Sequence, residues 1–211
     1  MPRRTPDAPR TRPARRARCA LTALAVCAAL AAIVAVGVAV AGCGGSKGGI
    51  AHFSDATYGI SIDVDRRLTQ WRTASVASAG AFEVSFVDAS GAIVGGRHLD
   101  ALTVSLVDTG TSPSTEQAAQ LNASLRALGA AMVAKLGPNA RAGAVSDVAL
   151  NGLTGVVVPY GVTIAGRSVV GWLYVLASGG RIYVLTAGAT ADRWSSYRPL
   201  FARAIASFKV S

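Results

Sequence analysis

The sequence predicts an α+β fold, a three-layer α/β/α sandwich over a mostly antiparallel sheet, preceded by a lipoprotein signal peptide. Three observations predict the sandwich. Runs of alternating apolar and polar residues recur along the chain and are joined by turn-forming residues. Two runs between positions 169 and 185 are apolar almost without interruption, so both of their faces must be covered. Two segments carry apolar residues at helical spacing, one in mid-chain and one at the end. That gives one helix for each face of a central sheet.

Taken in order, the stretch from Phe53 to Val64 reads strand, turn, strand, with Ile60, Ile62 and Val64 alternating with Ser61 and Asp63. Phe82, Val84 and Phe86 repeat the alternation, as do Leu102, Val104 and Leu106, which predicts a hairpin whose loop carries Asp88 to Asp100. A first helix is expected from Ser112-Pro113, where Ser caps and Pro fits the first turn. It places Leu121, Leu125, Leu128 and Met132 on one stripe and stops at Gly137-Pro138. Asn151-Gly152 between Val145–Leu150 and Leu153–Val158 is a two-residue hairpin signal, since both positions tolerate positive φ. The continuously apolar pair, Val169–Leu176 and Ile182–Leu185, is joined through Ser178-Gly179-Gly180. A second helix is expected to start near Thr190 or Asp192, with Trp194, Tyr197, Phe201, Ile205 and Phe208 on its buried stripe.

Ahead of this domain lies an export signal. Seven arginines and one acid, Asp7, precede a stretch from Cys19 to Gly42 that has no charged residue. It closes on Val40-Ala41-Gly42-Cys43, which resembles the lipobox of bacterial lipoproteins, where the cysteine receives diacylglycerol. An uncleaved transmembrane helix is the alternative, because 24 apolar residues suffice to span about 30 Å of hydrocarbon. The Ala, Val and Gly composition and the placement of Cys43 before a Gly/Ser-rich stretch favour cleavage and lipidation. The expected organisation is therefore 1–42 signal peptide, 43–50 lipidated flexible tether and 51–211 folded domain. Cys43 is its lipidation site, and the lipid anchors it to the outer face of the cytoplasmic membrane.

The net charge of +10 belongs mostly to that leader. From Cys43 onward 14 basic and ten acidic residues remain, a balance of +4, with no basic run of the kind that tracks phosphates. A nucleic-acid partner is not expected. The other two cysteines, Cys19 and Cys27, lie in the leader, so the folded domain carries no disulfide and no cysteine metal site.

Chemistry-bearing residues are few. His98-Leu99-Asp100 could supply a base with an orienting carboxylate, or two metal ligands, but reads better as part of a solvated hairpin loop. Asp63 and Asp65, two apart on a strand, could act as an acid–base pair, and with Arg66-Arg67 following them they read better as surface charge. His52 is expected to be exposed. No nucleophile elbow, phosphate-cradling loop or dinucleotide fingerprint is present. Trp71, Trp172 and Trp194 could line a ligand cleft, although Trp172 and Trp194 fall on core stripes, where packing explains them better. The sequon Asn122-Ala123-Ser124 falls in mid-helix and is discounted.

The order of these elements resembles PsbP-like domains. Phe53-x-Asp55-x-x-Tyr58-Gly59-Ile60-Ser61-Ile62-Asp63-Val64 is similar to the opening of that family, and Asn151-Gly152-Leu153-x-Gly155 to its middle hairpin. Gly180-Arg181-x-Tyr183-x-Leu185, Asp192-x-Trp194 and Ile205-Ala206-Ser207-Phe208-Lys209 resemble its last strand and helix. The chain departs from the usual form at Arg66-Arg67-Leu68, where a Pro-Gly-type turn is common. LpqN-type actinobacterial lipoproteins, which share the lipobox, are the nearest likeness. The resemblance implies a binding or assembly module with no catalytic residues, no cofactor and no metal site to carry over. The expected function is a non-enzymatic binding or scaffold lipoprotein at the cell envelope, its partner an envelope protein or lipid. The alternatives are a carrier of a lipid or small hydrophobic ligand, and an envelope hydrolase built on Asp and His.

Overall fold

A computed structural model describes residues 49–71, 81–109 and 115–211. The leader, Cys43 and the expected helix start at Ser112-Pro113 lie outside the described residues. In chain order the elements are β1 (Ile50–Asp55), β2 (Ile60–Asp65), β3 (Thr69–Trp71), β4 (Ala81–Val87), β5 (Ile93–Val94), β6 (Arg97–His98) and β7 (Ala101–Asp108). Helix α1 (Thr115–Lys135) follows, then β8 (Arg141–Ala142), β9 (Ser146–Leu150), β10 (Leu153–Ile164), β11 (Arg167–Ser178), β12 (Arg181–Thr190), α2 (Trp194–Ser207) and β13 (Lys209–Val210). The first strand thus begins at Ile50, the last residue of the stretch read as tether.

The large sheet runs β3-β4-β7-β12-β11-β10-β8, with β9 also paired to β10; β1-β2-β13 and β5-β6 form two smaller sheets. Every pairing among the described residues is antiparallel. The expected α+β fold with a mostly antiparallel sheet and two helices is the observed one.

Strand β12 is covered on both faces, which is why it lacks alternation; β11 is buried on the α1 side and, against the expectation of two covered faces, half-exposed on the other. On one side Tyr183, Leu185 and Ala187 of β12 meet Phe201 and Ile205 of α2, together with the β1-β2-β13 sheet. On the other, Val184 and Val175 meet Leu125 and Val133 of α1. The small sheet sits over β4, where Phe53 contacts Phe86 edge-on at 5.4 Å and Tyr58 contacts Phe82 at 4.5 Å. Strands β4 and β7 keep their alternation because their apolar residues serve the α2 side. On the opposite face the middle positions are polar, with Ser85 and Thr103 hydrogen-bonded across the pair at 2.8 Å.

Three local features set the register. Asn151 and Gly152 take φ of 48° and 85°, the positive values that the β9–β10 turn demands. The Asn151 amide then reaches the end of α2, donating to the carbonyls of Ala206 at 2.9 Å and Phe208 at 2.7 Å. Strand β10 continues past Val158, where the sequence reading ends it, to Ile164. Its Pro159 falls between the segment paired to β9 (up to Val157) and the segment paired to β8 (from Tyr160), so its missing N–H interrupts no ladder. Further along, Tyr160 stands opposite Gly171, which stands opposite Gly188. A Cβ on either glycine would come within 2.7 Å of the Tyr160 ring or hydroxyl, so the phenol fills the space that two side chains would occupy.

Helix α2 starts at Trp194 rather than at Thr190 or Asp192, because Thr190 is still the end of β12. Phe208, expected on the helical stripe, caps the helix in extended conformation and leads into β13, its ring fully buried against Tyr183.

Candidate functional site

The largest concentration of charge in the interior lies where the β4–β7 hairpin meets the start of α2. Asp88 follows β4, Asp100 precedes β7 and Arg193 precedes α2. Arg193 inserts between the two carboxylates, donating from Nη1 to Asp100 Oδ2 at 2.6 Å and from Nη2 to Asp88 Oδ2 at 2.5 Å. Its Nη2 also donates to the Tyr197 hydroxyl at 2.7 Å, and that hydroxyl donates to Asp88. The guanidinium lies 4.9 Å from the centre of the Tyr197 ring.

The remaining carboxylate oxygens are also occupied. Asp88 Oδ1 accepts from the Ser90 N–H at 2.8 Å and the Ser90 hydroxyl at 2.7 Å, and Asp100 Oδ1 accepts from the Thr190 N–H at 2.8 Å. Gly91 makes this closeness possible, since a Cβ there would fall 2.7 Å from Asp100 Oδ2. Burial raises the Asp88 pKa, but the hydrogen bonds from Tyr197, Ser90 and Arg193 outweigh it and hold the group at about 2. The Tyr197 hydroxyl is pushed up by burial and by its bond to Asp88, so it keeps its proton. Asp88 is consequently a weak base, and the cluster acts as a clamp that fastens the hairpin loop to the β12–α2 junction.

This overturns the reading of Asp100 as part of a solvated loop: its side chain has 0% relative exposure. The loop folds down because Leu99 is buried and Val94 packs in the α1-side core. That carries Asp100 inward, where Arg193 and the Thr190 N–H compensate the charge. His98 is half-buried on β6, and the Asp100 oxygens are taken up by Arg193 and Thr190.

Asp63 and Asp65 do not form a pair, because each has its own partner. Asp63 Oδ1 lies 2.6 Å from Nδ1 of the exposed His52. Asp65 is buried rather than surface charge and receives Arg67 through two contacts, at 2.9 and 3.2 Å. That side-chain bond, against the opposing effect of burial, lowers the Asp65 pKa. Trp172 and Trp194 are half-buried against the α2-side core, edge to face at 4.9 Å, and the Arg198 guanidinium lies 5.7 Å from the Trp172 ring centre. The backbone of Trp71 lies opposite Ser85 in the β3–β4 pairing. Among the described residues no three His, Cys, Asp or Glu side chains are grouped so as to hold a metal ion. Among the same residues no helix is long and apolar enough to cross a membrane.

The clamp was only half legible in the sequence. Asp88 and Asp100 bracket the hairpin loop, and Asp88-x-Ser90-Gly91 has the makings of an Asx turn. Their cation lies 93 positions beyond Asp100, and no local pattern singles it out among the arginines.

No protein-family model matches the chain, and no curated protein matches it in sequence. Solved structures do match. Cyanobacterial PsbP (CyanoP) from Synechocystis superposes with a TM-score of 0.58 at 18% identity, covering 82% of this chain and 99% of that one. LpqN of Mycobacterium tuberculosis, described as involved in cell envelope biogenesis, gives a TM-score of 0.46 at 15% identity over 78% of this chain and 91% of its own. The Ran-binding protein Mog1p of Saccharomyces cerevisiae gives 0.46 at 10% identity over 78% and 96%. The likeness to CyanoP establishes a PsbP-like fold.

Proposed function

We propose that this chain is a bacterial lipoprotein, held through Cys43 on the outer face of the cytoplasmic membrane. Its PsbP-like domain would work there as a non-enzymatic binding or scaffold module. The observation that carries the reading is Val40-Ala41-Gly42-Cys43 at the end of a stretch with no charge from Cys19 to Gly42. Two features of the domain support it. The carboxylates that a hydrolase would draw on, Asp88 and Asp100, are engaged by Arg193, Ser90, Tyr197 and Thr190. Asp100, the carboxylate of the His98–Asp100 constellation on which a hydrolase reading would rest, is thus committed to the Thr190 N–H and to Arg193.

Mass spectrometry of the protein purified from bacterial membranes tests the anchor. A mature chain beginning at Cys43 with a diacylglyceryl adduct is expected, and Cys43→Ser should yield a precursor or a released domain. An unmodified Cys43 still joined to residues 1–42 would overturn the reading.

A further inference from the structure

The α2 side of the large sheet is not covered evenly. The β1-β2-β13 sheet lies over β4, and α2 lies over β12 and against β2, leaving the floor of β11 and β10 beyond the helix as a trough. Facing residues across the β10–β11 ladder share a side: Val157 opposes Tyr174, Pro159 opposes Trp172, and Gly161 opposes Val170. Trp172 and Tyr174 belong to the α2-side cluster, so this whole row faces that way. Pro159 is exposed, and Val157, Val170, Trp172 and Tyr174 are half-exposed.

An arginine stands at each rim. Arg198 leans from α2 over the Trp172 ring. Arg141, on β8, stands opposite Gly161 and therefore on the same face; both arginines are exposed. None of the positions in this row carries a carboxylate, and α2 carries no acid along its length. Asp147, on the neighbouring β9, stands opposite the core residue Val156 and so faces the α1 side, where it pairs with Arg126. The trough is thus an aromatic, apolar floor between two cations.

We infer that this trough docks on an anionic bilayer surface, its tryptophan and tyrosine among the interfacial groups and Arg198 and Arg141 on headgroup phosphates. The inference rests on the lipid-anchored reading above. Seven residues, Cys43 to Gly49, precede Ile50, and fully extended they reach at most about 25 Å. Strand β1, where they enter, belongs to the small sheet that covers the same side of the domain as α2. An anchor entering on that side keeps the trough within reach of the leaflet.

The test uses the full mature protein with its lipid, reconstituted into vesicles of phosphatidylcholine alone or mixed with phosphatidylglycerol, the acyl chains brominated as quenchers. Tryptophan emission should be quenched in the phosphatidylglycerol vesicles only, and raised salt should relieve the quenching. Trp172→Phe should remove most of the quenched component, which separates the trough from any other tryptophan-bearing surface. The double variant Arg141→Glu with Arg198→Glu should abolish quenching while its circular dichroism stays that of the parent. Equal quenching in both vesicle types, quenching that survives the double variant, or no quenching at all would overturn the inference. Mass spectrometry of the same sample reports the anchor independently. If Cys43 proves unlipidated, co-flotation of the chain with the two vesicle types still decides the question, each arginine being worth about fivefold in partitioning.

Discussion

The two faces of the large sheet are filled by different chemistry. On the α2 side the core is aromatic, with Phe53, Phe86, Phe201, Phe208, Tyr183 and Tyr197 buried in one cluster. On the α1 side it is aliphatic, built from Val and Leu with Tyr160 as its buried aromatic. The helices approach accordingly. Helix α1 presents Gly129 to the sheet, so close that a Cβ there would lie 2.9 Å from Val158 Cγ2. Helix α2 stands on its rings and is tied at both ends by polar groups, the Arg193 clamp at its start and the Asn151 amide at its finish. One face relies on closeness and the other on volume plus fastening, and the two should fail differently.

The clamp should be the costliest part to break. Arg193→Met leaves Asp100, with no exposed surface, and Asp88, nearly buried, without their shared cation. A loss of about 3–5 kcal/mol at neutral pH is expected from urea denaturation, toward the upper end because two carboxylates are stranded rather than one. The pH dependence follows from sign. In the parent, Asp88 has a folded pKa of about 2, below the unfolded value, so its contribution is complete above about pH 4 and is lost as pH falls toward 2. In the variant Asp88 loses one of the groups that lower its pKa and so binds its proton at higher pH than in the parent, and the deficit should shrink on acidification. A deficit that is unchanged between neutral pH and about pH 3 would show that these charges are not what the clamp balances.

Truncation in the two cores comes next. Phe201→Ala, at a fully buried ring touching Trp194 and Tyr197, should cost about 3–5 kcal/mol, whereas Leu125→Ala on α1 should fall in the lower half of about 2–5 kcal/mol. If chemical melts put Leu125→Ala above Phe201→Ala, the α2 face is not the more demanding one.

The smallest effect concerns the closeness of α1. Gly129→Ala gains about 1 kcal/mol of helix propensity but meets Val158, so the net change should lie within about 1 kcal/mol of zero. In a Val158→Ala background the obstacle is gone and the same substitution should stabilise. A double-mutant cycle showing no coupling between the two positions would mean that the helix does not bear on the sheet at Gly129.

What the sequence disclosed was whatever depends on neighbours in the chain. Alternation placed β2, β4 and β7, Asn151-Gly152 placed the β9–β10 turn, and the absence of alternation in β12 announced a strand covered on both faces. The α1 stripe was also readable, with Leu125 at its buried centre. What stayed hidden depends on partners remote in sequence. The run that opens β10 was read only as far as Val158, because the harmlessness of Pro159 rests on where β9 hands over to β8. Asp100 looked solvated because its cation comes from the β12–α2 junction. Strand β13, two residues long, exists only because β2 offers an edge to Lys209 and Val210. The trough flanked by Arg198 and Arg141 likewise needs the β8 register to bring two distant arginines to one face.

The clasp at Asn151 also bears on how this molecule ages. Asn followed by Gly is the dipeptide most prone to deamidation, because the unhindered glycine nitrogen can attack the side-chain carbonyl, and asparagine is among the heat-labile residues. The amide nitrogen that such a reaction expels is the one that holds the carbonyls of Ala206 and Phe208. Deamidation would replace two donated hydrogen bonds with a carboxylate facing two carbonyl oxygens, acceptor against acceptor. The resulting gain of one negative charge and about one dalton would mark, chain by chain, the copies in which the end of the terminal helix has come unfastened.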